Sequence, residues 1–183
     1  MSKTAPLERA TAAYRRGDYA VALRLVRPLA ERGNARAQYN LGVMHDEGRG
    51  VRQSHAEAAT WYRKAANQGN AEAQFVLGIL HQEGQGVRKN FAQAATWFRR
   101  AAGQGNAGAQ INLGVLYATG KGVGRSPAKA YQWFEIAVSR LPAAEKGARA
   151  MAARNRAIAA AKMTPARIAK ARTSARAWKP KKK

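Results

Sequence analysis

The sequence contains no cysteine, and its 183 residues include only 10 acids against 33 lysines and arginines. The first absence excludes a disulfide scaffold and any cysteine-ligated zinc or iron site. The second leaves a formal charge of +23, a field that attracts polyanions. No stretch approaches the ~18 to 20 uninterrupted apolar residues of a membrane-spanning helix, and residues 1–16 lack the apolar core of a secretory signal. The chain as written is expected in the cytoplasm; a leader removed before this numbering would make it periplasmic or secreted. Large apolar side chains are also scarce. Alanine supplies 42 residues, about half of the 46% counted as hydrophobic, so the interior must be assembled from close helix contacts. The composition predicts an all-α protein.

What the sequence does have is a period. Gln38-Tyr39-Asn40-Leu41-Gly42 returns 36 residues later as Gln74-Phe75-Val76-Leu77-Gly78, and again as Gln110-Ile111-Asn112-Leu113-Gly114. The same register carries the glycine pairs Gly48/Gly50, Gly84/Gly86 and Gly120/Gly122, each followed by a valine. Trp61-Tyr62, Trp97-Phe98 and Trp133-Phe134 also keep this register. Self-similarity at one fixed spacing is the signature of a repeat array.

Each unit reads as two helices. Asn34, Asn70 and Asn106 stand where a side chain can cap free backbone amides, each directly after a glycine suited to a left-handed helix exit. Leu41 with Met44, Leu77 with Leu80, and Leu113 with Leu116 supply buried i, i+3 contacts. Gly42, Gly78 and Gly114 admit a close neighbour. In the second helix Ala58, Trp61, Tyr62, Ala65 and Ala66 form one apolar stripe, repeated from Ala94 to Ala102. One helix pair cannot bury that stripe alone. Neighbouring pairs must stack, which predicts an α-solenoid of antiparallel helix pairs, a tetratricopeptide-like superhelix.

These residues resemble the Sel-one-like repeat family, relatives of the tetratricopeptide repeats, whose pattern is A-x-A-Q-x-x-L-G-x-x-Y-x-x-G-x-G-V followed by A-x-x-W-Y/F-x-x-A-A-x-x-G. The resemblance implies three repeats over residues 34–139. His45 and His81 stand where the family has the tyrosine that Tyr117 supplies, and Thr119 replaces the acidic Glu47 and Glu83. Residues 1–33, with Ala13 through Leu23, resemble an ordinary tetratricopeptide helix pair serving as an N-terminal cap. Beyond Arg140 the register fails. Pro142 is expected to open a helix with Ala144, Ala148, Met151 and Ile158 near one face, and Thr164-Pro165 to open another carrying Ile168, Ala171, Ala175 and Trp178. Residues 140–178 are therefore expected to fold back as a basic C-terminal cap, leaving 179–183 as a disordered lysine-rich tail. The closing segment from Met163 to Trp178 resembles one found in small bacterial members of the family, many of them exported.

No catalytic constellation emerges. His45 and His81 share one repeat position, so they reflect duplication, and a structural role is expected of them. Asp46, Glu47 and Glu83 at helix ends are expected to be solvated. Ser54, Ser126 and Ser139 have no paired base, and the Gly-x-Gly loops lack the preceding strand of a dinucleotide site. The tryptophan-aromatic pairs are assigned to the core by their periodicity. The chain is not expected to be an enzyme or to hold a metal or cofactor.

Surface remains. By resemblance to tetratricopeptide arrays, the concave side is expected to expose Arg36, Tyr39, Val43, Glu72, Phe75, Ile79, Gln82, Ile111 and Val115, an apolar centre able to hold a protein or peptide partner. The competing reading is that a tightly curled solenoid buries these side chains. A carboxylate clamp is not reproduced, since Asn40 and Asn112 lack the accompanying basic residues. Residues 140–183 hold 14 basic residues against one acid, Glu145, a net +13. Arg167, Lys170, Arg172, Arg176, Lys179, Lys181, Lys182 and Lys183 are the candidate contacts to nucleic acid or an anionic envelope surface, binding weakly and without sequence preference. A merely solvated basic face is the alternative. The sequence thus supports an interaction scaffold first and a polyanion-binding protein second.

Overall fold

Alternation of capped helices and glycine turns gives ten helices and no strand among the described residues, 5–180 of a computed structural model. The helices are α1 (Ala5–Arg15), α2 (Tyr19–Glu31), α3 (Ala35–Glu47), α4 (His55–Asn67), α5 (Ala71–Glu83), α6 (Phe91–Gly103), α7 (Ala107–Thr119), α8 (Pro127–Arg140), α9 (Lys146–Ala160) and α10 (Pro165–Ala177). They form stacked antiparallel pairs, an all-α solenoid in class. Two units divide the chain, one ending at Lys89 and the other beginning at Asn90.

In the first unit each of α1 to α4 packs on the helix that follows it. The Asn34 side chain accepts from the Ala37 N–H at 2.9 Å and Asn70 from Ala73 at 2.8 Å, satisfying amides that helix starts leave free. The repeated glutamine has a related task. Buried Gln38 donates to the Ala30 carbonyl at 3.1 Å and Gln74 to that of Ala66 at 2.9 Å, so each ties its helix to the end of the preceding one. Gly42 admits a ring: a Cβ there would stand 2.7 Å from Tyr62 Cδ1. Gly86, at φ +65°, lies so close to the start of α4 that a Cβ would fall 2.2 Å from the His55 carbonyl carbon. The second glycine of the turn is thus demanded by both conformation and space.

The second unit repeats this frame. Asn106 caps α7 through Ala109 at 2.8 Å, and Gln110 donates to the Ala102 carbonyl at 3.3 Å. A Cβ on Gly114 would meet Phe134 Cε1 at 2.6 Å, and one on Gly122 the Phe91 carbonyl carbon at 2.2 Å. Then the pattern ends, and both α9 and α10 pack on α8. Trp178 meets Trp133 edge-on at 6.2 Å between centroids, while Arg140 stacks over it at 4.7 Å and donates to its carbonyl at 3.2 Å. Arg156 pairs with Glu135 at 2.5 Å, and Arg172 donates to the Tyr131 hydroxyl at 3.3 Å.

Three expectations need correction. The helix after Pro142 opens only at Lys146 and docks through Ala152 and Ala159, leaving Met151 and Ile158 outside at 50% and 51% exposure. Small alanines let α9 approach α8 closely, and the larger pair, about 100° round the helix, cannot follow them inward. The tryptophans are also less deeply set than their ring partners. Tyr62, Phe98 and Phe134 are fully buried, whereas Trp61 and Trp133 are only partly so. Lys64 covers the Trp61 ring at 3.9 Å and Arg100 the Trp97 ring at 4.6 Å, shielding the outer tryptophan faces with cations. Finally, Asp46 and Glu47 are not simply solvated: His55, Tyr62, Tyr14 and Arg49 engage them.

Candidate functional site

In the first unit, α1, α2 and α3 leave an apolar hollow of about 200 Å3. Ala10, Thr11 and Tyr14 come from α1, Ala22 and Val26 from α2, and Tyr39, Asn40, Val43 and Met44 from α3. Spacing explains the assembly: Ala10 and Tyr14 are i, i+4, as are Tyr39 and Val43, so each helix presents one stripe to the same space. The floor is aliphatic. The rim carries hydroxyls and a carboxamide, which Asn40 supplies.

Around that rim lies a network the sequence did not reveal. The Tyr14 hydroxyl donates to Glu47, which also pairs with Arg49 at 2.9 Å. Arg49 in turn sits over both the Tyr14 and Tyr19 rings, 5.5 and 5.4 Å from their centroids. Asp46 takes His55 Nδ1 at 2.7 Å and the Tyr62 hydroxyl at 3.4 Å. The Tyr39 ring lies 5.7 Å from that of Tyr62. Burial and the Glu47 carboxylate push the Tyr14 hydroxyl up to about 12. Burial, with Asp46 adding to it, raises Tyr62. Tyr39 is raised by burial and then by Glu72, Glu47 and Asp46. All three phenols therefore remain neutral donors near pH 7. Apart from Glu47 and Arg49, two residues apart, the hydrogen-bonded partners lie 9 to 35 residues from one another, and no local pattern announces them.

The other expected groove residues divide. Arg36 and Glu72 are exposed, and Tyr39, Val43, Phe75, Ile79, Gln82 and Val115 are half-buried. Ile111 is a correction: at 5% exposure it is core. It lies on α7, the one first helix of a repeat against which α9 also packs. Tyr39 and Val43 are brought together in the hollow, with Arg36 nearby in a small recess beside Glu8 and Arg15.

A broader, polar cleft of about 790 Å3 opens on the α2 and α4 side, where Arg27, Glu31, Arg52, Glu57 and Trp61 surround His45. The buried Nδ1 atoms of His45 and His81 have no hydrogen-bond partner. Burial lowers both imidazoles below the usual histidine value, against the opposing pull of Glu57 at His45 and of a backbone hydrogen bond to Arg88 at His81; Arg27 and Arg63 add smaller lowering effects. Among the described residues no three His, Asp or Glu side chains converge as metal ligands.

Of the candidate polyanion contacts, Arg167, Lys170, Arg172 and Arg176 are exposed on α10, outside its buried Ala171/Ala175 stripe, and Lys179 follows exposed. Arg172 is held by Tyr131. Lys181, Lys182 and Lys183 lie outside the described residues.

Capped helix pairs, ring-filled glycine positions and an apolar hollow define a helical-repeat scaffold. The Sel1 repeat family model matches residues 35–70, 71–106 and 107–140. The chain belongs to the Sel1 repeat family, whose members are generally protein-interaction scaffolds. It is similar to the crystal structure of a Sel1 repeat protein from Oxalobacter formigenes, with 32% identity and a TM-score of 0.72 over 78% of this chain and 57% of that one. It is also similar to a protective antigen of uropathogenic Escherichia coli that displays an SLR fold, with 30% identity and a TM-score of 0.62 over 86% and 40% of the two chains. The chain thus spans about half the length of these relatives. No curated protein matches it.

Proposed function

We propose that this protein is a non-catalytic adaptor that holds a protein partner on the inner faces of its first helices, with the hollow of the first unit as anchor. The observation that carries the reading is that Tyr39 and Val43 meet α1 and α2 around an apolar space of about 200 Å3. Such a space suits one aliphatic or aromatic side chain of a peptide or helix, while Asn40 offers a donor and an acceptor to its backbone. Half-buried Phe75 and Ile79 continue apolar character on α5. Val43→Phe tests this by filling the hollow with apolar volume. Affinity capture from native cells should lose the partner while thermal unfolding is largely unchanged. An unaltered captured set would place the interaction elsewhere.

A second reading, polyanion binding through the C-terminal region, is supported by charge distribution. From residue 90 onward the chain has 19 basic residues and two acids, and one of those acids, Glu135, is paired with Arg156. A field of one sign with few internal counter-charges favours any extended anionic surface and weakens with salt. Retention on heparin that disappears at moderate salt is the expected behaviour.

A further inference from the structure

We infer that α9 docks on anionic lipid bilayers, with Met151 and Ile158 entering the interface and exposed Arg154 and Lys162 meeting the headgroup phosphates. This rests on the polyanion reading and names the surface. Met151 and Ile158 are the large apolar side chains that the fold leaves exposed among the described residues. They stand seven residues apart, two turns or about 10 Å along one helix face. Nothing in the second unit covers them, because α9 spends its packing face on Ala152 and Ala159.

The surroundings decide what suits this face. Exposed Gly147, Ala150 and Ala157 are small and uncharged and leave the pair open on their side. Exposed Arg154 lies between Met151 and Ile158 in sequence, and exposed Lys162 follows the helix end. Helix α9 itself carries no acid. An apolar pair within a basic border is the pattern of a helix lying in a membrane interface, where apolar groups sit below the phosphates and cations sit among them. A nucleic-acid backbone would use the cations and leave the apolar pair without a role. A second copy of this chain would bring its own excess of positive charge to a basic face. No helix among the described residues is long and apolar enough to cross a membrane, so the attachment is peripheral.

The test uses the full chain with Met151→Ser and Ile158→Ser together, both at half-exposed positions where folding should survive. Sedimentation with vesicles of phosphatidylcholine and phosphatidylglycerol should show the parent bound and the double variant weakened about tenfold or more. Pure phosphatidylcholine should bind neither, and heparin elution should be the same for both. Because the chain lacks cysteine, Ile158→Cys also gives a single labelling site. An environment-sensitive dye there should brighten with anionic vesicles and stay dim with heparin. Equal vesicle binding by parent and double variant, or a dye that does not respond, overturns the inference. Heparin retention without vesicle binding overturns it while leaving the polyanion reading intact, and binding to neither removes both. Should the double variant unfold, the dye on the folded Ile158→Cys protein still decides.

Discussion

The two units share one frame and differ in what they place on it. Eight of the ten acids lie before residue 90 and two after it, so net charge rises from +6 in the first unit to +17 in the second. The buried positions scarcely register this change: glutamine, asparagine cap, ring-covered glycine and crossing glycine recur at 36-residue intervals in both. The exposed and half-exposed positions do register it. Asp46 and Glu47, which engage His55, Arg49 and Tyr14, correspond two periods on to Ala118 and Thr119, where His55 corresponds to Pro127. Packing fixes the repeat and leaves its surface free to specialise.

The largest expected effect tests whether the frame is truly common. Gly122→Ala puts a Cβ against the Phe91 backbone at a positive φ, and Gly86→Ala does the same at His55. Each should cost about 3 kcal/mol, from steric overlap added to left-handed strain. Thermal unfolding of the two variants should fall together. If one is tolerated, the turns are not equivalent and the comparison fails at its base.

Next comes the C-terminal pair α9 and α10, which packs on α8 in the second unit. Trp178→Ala removes the ring held between Trp133 and Arg140, and should cost about 2 kcal/mol, less than a fully buried tryptophan because Trp178 is partly exposed. Hydrogen exchange should accelerate in α10 more than in α3. Uniform acceleration would mean that the C-terminal helices are integral to the frame and not an appendage to it.

How far the sequence carries is clear from these same residues. The helix pairs and asparagine caps were legible because each depends on local spacing that repeats; the glutamines were visible as a period, but their burial and their bonds to the preceding helix were not. Ile111 was misplaced because the repeat register gives it the same standing as Tyr39 and Phe75, and only its tertiary surroundings make it core. Met151 and Ile158 were misplaced because periodicity marks a stripe without saying which stripe the neighbour can approach; the alanines won by being small. The pocket was half legible, through Tyr39 and Val43, while its α1 wall and the Tyr14–Glu47–Arg49 rim depend on tertiary neighbours.

A smaller effect concerns the aromatic position of the repeat. Tyr117 satisfies its register with a hydroxyl that accepts from Arg99 at 3.4 Å; His45 and His81 face Arg27 and Arg63 with a buried, unpartnered Nδ1. Their folded pKa values lie below the unfolded value near 6.5, so the unfolded chain binds protons first. The stability they contribute is complete above about 6.5 and is lost as pH falls through the lower folded values. His45→Tyr with His81→Tyr should flatten the melting temperature between pH 7 and 5 relative to the parent. An unchanged pH profile would show that the imidazoles titrate alike in both states.

The smallest expected effect on stability is none at all. Removing Lys181 to Lys183 spares Pro180, whose ring lies about 3.7 Å from where a Gly105 Cβ would stand, and spares the Trp178 contacts. The melting temperature should therefore match the parent's. Binding to duplex DNA should weaken, and the slope of log affinity against log salt should flatten by about 0.9 for each phosphate that the shortened chain no longer neutralises. If the slope is unchanged, the tail does not engage phosphate and the charge that matters lies on α9 and α10. If the truncated chain melts earlier, residues beyond Pro180 support the cap, and the distinction between a packed frame and a free basic surface must be drawn elsewhere.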